Sequence, residues 1–148
     1  AFFNGKGIQQ DFTEAVHWYR KAADQGSAYA QFSLGHAFDA GKGVQQDYAK
    51  AIHWYSKAAE QNHPQAQFML GTIYYYGTGV QQDYSEAVKW YRKAAEQDSA
   101  LAQKYLGDAF YAGKGVRQDY TEAMKWYRRA AELGNADAKQ KLEDMARK

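Results

Sequence analysis

The chain has 148 residues, with 19 basic and 17 acidic side chains, a formal charge of +2 and no cysteine. So small a net charge argues against a nucleic-acid-binding protein, which usually carries a concentrated basic face. The absence of cysteine excludes disulfides and thiolate zinc sites. No apolar run reaches the roughly 18 residues of a membrane-spanning helix, so we expect no membrane insertion.

A 36-residue internal repeat runs through the whole chain. Tryptophan recurs at this step at Trp18, Trp54, Trp90 and Trp126. A Gly-x-Gly turn followed by Ile or Val recurs with it, at residues 5–8, 41–44, 77–80 and 113–116. We predict a single repeat array over residues 1–148. Its parts are a truncated first repeat (1–27), a second (28–63), a third (64–99) and a fourth (100–135) repeat, and a C-terminal capping helix (136–148).

The first repeat begins near the end of a helix. Residues 2–5 align with residues 38–41, so only the tail of that repeat's first helix is expected. We interpret the chain as a fragment, or as one whose natural start is disordered or cleaved. The uncovered apolar surface at this end, including Phe2 and Phe3, predicts self-association through it.

The second repeat predicts two helices. The first covers residues 28–40, where Ala30, Leu34, Ala37 and Phe38 follow helical spacing. Gly35 lies inside this helix and recurs in the next two repeats. Because glycine costs a helix about 1 kcal/mol relative to alanine, its recurrence indicates a close helix crossing.

A glycine-rich turn and an aspartate separate the two helices. The turn at residues 41–44 can take left-handed backbone angles, and Asp47 then caps a second helix over 48–61. On that helix, Trp54 and Tyr55 fall on one apolar face and are expected in the core. Three repeats add a capping box of Asp and Glu, at Asp11/Glu14, Asp83/Glu86 and Asp119/Glu122.

The last helix differs from its counterparts. Glu143 replaces the recurrent glycine, and Lys, Asp and Glu are frequent from residue 136 onward. A terminal repeat needs a polar outer face, so we interpret residues 136–148 as a closing cap.

These motifs resemble the Sel-one-like repeat (SLR) family, relatives of the tetratricopeptide repeat. The third repeat carries the pattern Leu70-Gly71-x-x-Tyr74-x-x-Gly77-x-Gly79-Val80-x-x-Asp83-x-x-x-Ala87-x-x-Trp90-Tyr91-x-x-Ala94-Ala95. The resemblance implies an all-α fold, a right-handed α-solenoid of 36-residue helix–turn–helix repeats. It also implies a bacterial adaptor or scaffold, with a periplasmic or secreted location slightly favoured. Some relatives carry a disulfide in each repeat, which this chain cannot form.

The sequence offers no pattern typical of catalysis or metal binding. His17 and His53 occupy a position that is lysine in the other repeats, Lys89 and Lys125, which indicates a solvated helix face. None of the serines belongs to a Ser-x-x-Lys or Gly-x-Ser-x-Gly motif. We therefore predict no catalytic residue, no metal site and no cofactor.

Positions that vary between repeats predict the partner-binding residues. In the tetratricopeptide arrangement the first helices line a concave groove, and the variable positions there follow one helical face. We call this set the variable face: Tyr29, Phe32, His36, Asp39, Phe68, Thr72, Tyr75, Tyr76, Lys104, Asp108 and Tyr111. Aromatic anchors beside a few charges are typical of interface hot spots. The alternative is that some of these rings only pack between neighbouring repeats.

Two functions remain open from the sequence. The first is a non-catalytic scaffold or adaptor that binds a peptide or protein segment in the groove, with Phe68 and Tyr75 as anchors whose loss leaves the melting temperature nearly unchanged. The second is an enzyme or small-molecule binder of the penicillin-binding or hydrolase type, to which some cysteine-rich relatives have been linked. The missing serine motifs argue against the second.

Overall fold

The chain folds into helix pairs. The computed structural model describes the backbone of residues 5–147 and the side chains of residues 11–147, which form α-helices and no β-strand. The helices are α1 (Gly5–Asp24), α2 (Ala28–Ala40), α3 (Tyr48–Glu60), α4 (Pro64–Tyr76), α5 (Tyr84–Ala95), α6 (Ala100–Ala112), α7 (Tyr120–Glu132) and α8 (Ala136–Ala146). The predicted all-α repeat fold is confirmed. The chain divides into two compact units between Ala66 and Gln67, within α4.

Aspartate caps begin the second helix of each complete repeat. The side chains of Asp47, Asp83 and Asp119 accept hydrogen bonds of 3.1, 3.0 and 3.1 Å from the backbone N–H three residues on. Each cap residue has extended backbone angles, so its side chain reaches an amide that the helix itself leaves unbonded.

The Gly-x-Gly turns end the first helices and touch the repeat before. In the first unit, Gly41 ends α2 in the left-handed region, at φ 70°. Gly43 has φ 77°, and a Cβ there would collide with the backbone of Phe12 at α1. The N–H of Asp47 then donates to the carbonyl of Phe38 at 3.0 Å, which fixes the start of α3. Gly113, Gly115 and Asp119 repeat these features in the second unit.

A tyrosine packs against the recurrent glycine at each helix crossing. A Cβ on Gly35 would lie 2.7 Å from a ring carbon of Tyr55. In the second unit, a Cβ on Gly107 would lie 2.7 Å from the ring of Tyr127. Both tyrosines are at most 1% exposed. The predicted close crossing is confirmed, and glycine is required there because no larger residue fits beside the ring.

The prediction for the start of the second helix is wrong in the first repeat. There α1 runs without a break through the Gly-x-Gly segment, so Asp11 lies inside a helix instead of capping one. In the other repeats the backbone N–H of the cap aspartate donates to the carbonyl of the residue nine positions earlier. The counterpart for Asp11 is residue 2, and the expected apolar surface at Phe2 and Phe3 also lies outside the described residues.

The tryptophan position belongs to the core only in part of the chain. Trp90 and Trp126 are buried, whereas Trp54 is partly buried and Trp18 is 57% exposed. Trp54 is therefore less buried than expected, and Tyr55 is the fully buried ring of α3.

Candidate partner-binding surface

In the first unit, the variable face is built from α2. Tyr29 is 65% exposed and His36 is also exposed, whereas Phe32 and Asp39 are partly buried. The ring of Phe32 stacks on His63, with centroids 5.1 Å apart, and lies 6.5 Å from His36. Phe32 and His36 are therefore close together, and Phe32 supports the link that leads into α4.

The buried tyrosines of the second helices reach the variable face with their hydroxyl groups. The hydroxyl of Tyr55 donates to a carboxylate oxygen of Asp39 at 3.2 Å. In the second unit the hydroxyl of Tyr127 donates to Asp108 at 2.5 Å. Burial and then the neighbouring carboxylate raise the pKa of each phenol, so both stay protonated and remain donors. Asp39 and Asp108 thus hold these tyrosines in place.

In the second unit, the variable face of α4 is an aromatic cluster. Phe68 lies 5.7 Å from Tyr91 between ring centroids, and Tyr75 lies 5.0 Å from Tyr76. The Thr72 hydroxyl is 3.1 Å from that of Tyr91. Phe68, Thr72 and Tyr75 are partly buried by these contacts, whereas Tyr76 is 58% exposed.

Tyr105 joins this cluster, although the sequence analysis did not select it. Its ring stacks on Tyr91 at 5.4 Å and also contacts Phe68 at 5.7 Å and Tyr75 at 6.4 Å. Tyr105 follows Lys104 by one residue and so falls off the helical spacing that defined the variable face. Its position does vary between repeats (Ser33, Met69 and Lys141 are its counterparts), and this variation is the signal that could have found it.

Four charged side chains join α6 to α8 beside the cluster. Lys104 lies 3.0 Å from both Asp108 and Asp137, and Lys141 lies 2.7 Å from Asp108. Burial alone would lower the pKa of Lys104, but hydrogen bonds to Asp137 and Asp108 outweigh burial and raise it. Lys104 and Asp108 therefore neutralise each other within the fold and present little free charge.

Tyr111, the remaining variable-face residue, lies on α6 and forms a second aromatic pair with Tyr120. Its ring is 5.1 Å from Tyr120, which is 53% exposed. The same pairing joins Tyr75 to Tyr84 at 5.1 Å in the preceding repeat.

Two further features of residues 11–147 bear on the function. No three His, Asp or Glu side chains in this range are placed to bind a metal ion together. None of the described helices has the length and apolar character needed to cross a membrane.

Three solved structures with this arrangement come from bacteria. A protective antigen of uropathogenic Escherichia coli with an SLR fold is 47% identical over 90% of this chain and 29% of its own (TM-score 0.89). A Sel1 repeat protein from Oxalobacter formigenes is 41% identical over 93% of this chain and 56% of its own (TM-score 0.84). Helicobacter pylori cysteine-rich protein B is 30% identical over 91% of this chain and 97% of its own (TM-score 0.71). The chain thus spans less than two thirds of the first two proteins.

The repeat motif itself is matched along most of the sequence. No curated protein matches the chain, but the model of the Sel1 repeat matches residues 1–27, 28–63, 64–99 and 100–135. The helix pairs, the Gly-x-Gly turns and the glycine–tyrosine crossings described above fall within these segments. The chain belongs to the Sel1 repeat family.

Proposed function

We propose that the protein is a non-catalytic scaffold whose variable face binds an extended segment of a partner protein. Sel1 repeat proteins generally act in protein–protein interactions and are typically non-enzymatic. Because the chain is matched to only part of two longer relatives, the proposal concerns the surface on these repeats alone.

The exposure of Tyr76 beside a packed aromatic cluster carries this proposal. Tyr76 is 58% exposed although its ring contacts Tyr75, so it presents a large apolar surface on a rigid support. Leu101 on α6 is 52% exposed as well. Tyrosine is enriched among the residues that dominate binding energy, because it offers a large contact area at low entropic cost.

Phe68 and Tyr75, the anchors expected from the sequence, also pack inside the fold. Both are partly buried among the rings of Tyr91 and Tyr105, and these contacts support the alternative in which variable rings pack between repeats. Replacing Phe68 and Tyr75 would therefore also destabilise the fold. Tyr76 is the better residue for testing binding, since it is 58% exposed.

The test is a crosslinking experiment followed by an affinity measurement. First, a photoreactive amino acid at position 76 should crosslink the protein to a segment of its partner. The affinity of that segment is then measured for the wild-type protein and for the Tyr76→Ala variant. We expect Tyr76→Ala to weaken binding by about 2 kcal/mol, as for a hot-spot tyrosine. The melting temperature should change little, since the side chain is 58% exposed and its fold contacts are those with Tyr75 and Tyr105.

Two surface positions on second helices serve as controls. His53 and Lys89 are exposed and lie outside the variable face. Alanine at either position should leave the affinity unchanged. If His53→Ala or Lys89→Ala weakens binding and Tyr76→Ala does not, the partner docks elsewhere and the proposal is wrong.

A further inference from the structure

One position in the second helices changes its charge in the second repeat. Three residues after the cap aspartate the other repeats have Glu14, Glu86 and Glu122, whereas the second repeat has Lys50. An acidic side chain in the first turn of a helix is favourable, because it opposes the positive end of the helix dipole. In the second repeat this position adds a positive charge instead.

Lys50 lies over the same aromatic ring as a second cation. The ammonium of Lys50 is 5.5 Å from the ring centroid of Phe38, and the guanidinium of Arg20 is 6.0 Å from it. The ring belongs to the core and is 4% exposed, whereas both cations are exposed. Neither cation forms an ion pair with a side chain of residues 11–147.

The second unit has the same contact with charges of opposite sign. There the guanidinium of Arg92 lies 5.5 Å from the ring centroid of Phe110. The residue that corresponds to Lys50 is Glu122, so this unit has one basic and one acidic side chain at the two positions. The first unit has two cations at these positions, and like charges repel each other. An anion bound between them would remove this repulsion.

Arg20 and Lys50 also line one cavity, of about 410 Å³. This volume falls within the range of about 300–1,000 Å³ that is usual for ligand sites. Asp47 lines the cavity as well, but its carboxylate already accepts the backbone N–H of Lys50 at 3.1 Å as the helix cap. The exposed side-chain amide of Gln45 lies in the same lining and can donate to a ligand.

We propose that Arg20 and Lys50 form a binding site for a phosphate group. A guanidinium can donate two parallel hydrogen bonds to a phosphate, and an ammonium adds a point charge. A phosphate monoester carries about two negative charges near neutral pH, which match the two cations. The site depends on these two side chains and not on the end of α3, which Asp47 caps. It uses no residue of the variable face and so does not depend on the proposed function.

The test measures the binding of inorganic phosphate to the 148-residue protein by NMR. The signals to follow are those of the Arg20 guanidinium and the Lys50 backbone amide, and sodium chloride keeps the ionic strength constant. We expect saturable shifts of both signals, with a dissociation constant in the millimolar range. Acetate should bind at least about fivefold more weakly, because it carries a single charge and fewer acceptor oxygens.

Four variants separate this site from a general effect of charge. Lys50→Glu restores the residue of the other repeats, so it should fold, and it should weaken phosphate binding at least about tenfold. Arg20→Gln should weaken binding by a similar factor, whereas Lys50→Arg keeps the cation and should keep the affinity. Lys57→Glu is the matched control, because it changes the net charge equally on the same helix. Lys57 lies over Trp54 outside the cavity, so its replacement should leave the affinity nearly unchanged.

Two larger ligands identify the source of the phosphate. One is a short alanine-based peptide with a single phosphoserine, and the other is glycerol phosphate. If the peptide binds more tightly, the natural ligand is a phosphorylated protein segment. If glycerol phosphate binds more tightly, the ligand is a phosphorylated small molecule. Either result supports a phosphate site, provided that Lys50→Glu weakens the binding.

Three results would overturn the proposal. Absence of any shift with phosphate at constant ionic strength would mean that the two cations hold no anion. Equal losses in Lys57→Glu and Lys50→Glu would mean that only the overall charge matters. Equal affinities for acetate and phosphate would show that the site does not select phosphate. None of these results bears on crosslinking at position 76, so the proposed function is tested separately.

Discussion

At the scale of single residues, a buried glutamine recurs in each complete repeat, and its hydrogen bonds are incomplete in the last one. Gln31, Gln67 and Gln103 are at most 4% exposed. The side-chain amides of Gln31 and Gln103 donate to the backbone carbonyls of Ala23 and Ala95, in the helix before. The side-chain oxygens of Gln31 and Gln67 in turn accept a hydrogen bond of 2.8 Å from Gln61 and Gln97, respectively. Leu133 occupies the position in the last repeat that corresponds to Gln61 and Gln97. The buried side-chain oxygen of Gln103 therefore has no partner among the described residues.

Restoring this donor should stabilise the protein. We expect Leu133→Gln to raise the free energy of unfolding by about 1 kcal/mol, since an unsatisfied buried acceptor costs about that much or more. Little apolar burial is lost, because Leu133 is 51% exposed. Urea unfolding measures the change. Leu133→Met is the control of similar length without a donor, and an equal gain in both variants would contradict the explanation.

His63 makes stability depend on pH. Its Nδ1 accepts the N–H of Ala66 at 3.2 Å and so caps α4, a role that Ser27 and Ser99 have at other first helices. Burial lowers the pKa of His63. The unfolded chain therefore takes up the proton first, near the ordinary pKa of about 6.5. The cap's contribution is present above that value and is lost as the pH falls through the folded pKa.

We expect acidification from pH 7.5 to 5 to destabilise the wild type by about 1 kcal/mol relative to His63→Ser, the usual contribution of a helix cap. A serine hydroxyl still caps the helix and does not titrate in this range. Unfolding free energies of both proteins across the pH range provide the measurement. Parallel pH profiles would show that His63 has no such role.

At the scale of helices, the glycine–tyrosine crossing sets how closely the two helices of a repeat approach. Gly107→Ala should gain about 1 kcal/mol in helix propensity. Its Cβ, however, would lie 2.7 Å from the ring of the buried Tyr127. Overpacking of this kind costs about 1–3 kcal/mol, so steric conflict outweighs propensity and the variant should be less stable than wild type.

A double-mutant cycle can separate these two effects. With the smaller side chain of Tyr127→Leu, Gly107→Ala should cost less than it does in the wild type, because the ring that it meets is gone. Thermal and urea unfolding of the four proteins give the coupling energy. Additive effects of Gly107→Ala and Tyr127→Leu would show that the glycine is not required by the ring.

The helices and their crossings could be predicted because repetition displays the same physical constraint several times. Gly35 is informative since a helix-destabilising residue recurs where only packing explains it. The variable face was harder, because its definition used helical spacing alone. Phe68 and Tyr75 satisfy that spacing but are held by ring contacts with Tyr91, and Tyr105 lies one residue away from it. Such contacts between helices leave no periodic signal in the sequence.

At the scale of the whole molecule, equivalent positions differ because a repeat is stabilised only by its neighbours. Trp18 and Trp126 occupy the same place in their repeats, yet one is 57% exposed and the other 2%. In repeat arrays the stability of each unit is approximately a sum of its own and its nearest-neighbour interactions. An identical motif therefore has a different stability at an uncovered helix, and the sequence of one repeat does not reveal this difference.

Hydrogen exchange of backbone amides should follow the same gradient. Within the first unit we expect α1 to exchange at least about tenfold faster than α3, because Trp18 is exposed and Tyr19 is partly exposed, whereas Trp54 is partly buried and Tyr55 is fully buried. Within the second unit α8, of which only Ala138 is buried, should exchange faster than α6. Mass spectrometry or NMR gives these rates at a pH where local unfolding and refolding stay at equilibrium during exchange. Equal protection of α1 and α3 would mean that the stack unfolds as one cooperative body, and that neighbour contacts do not limit its local stability.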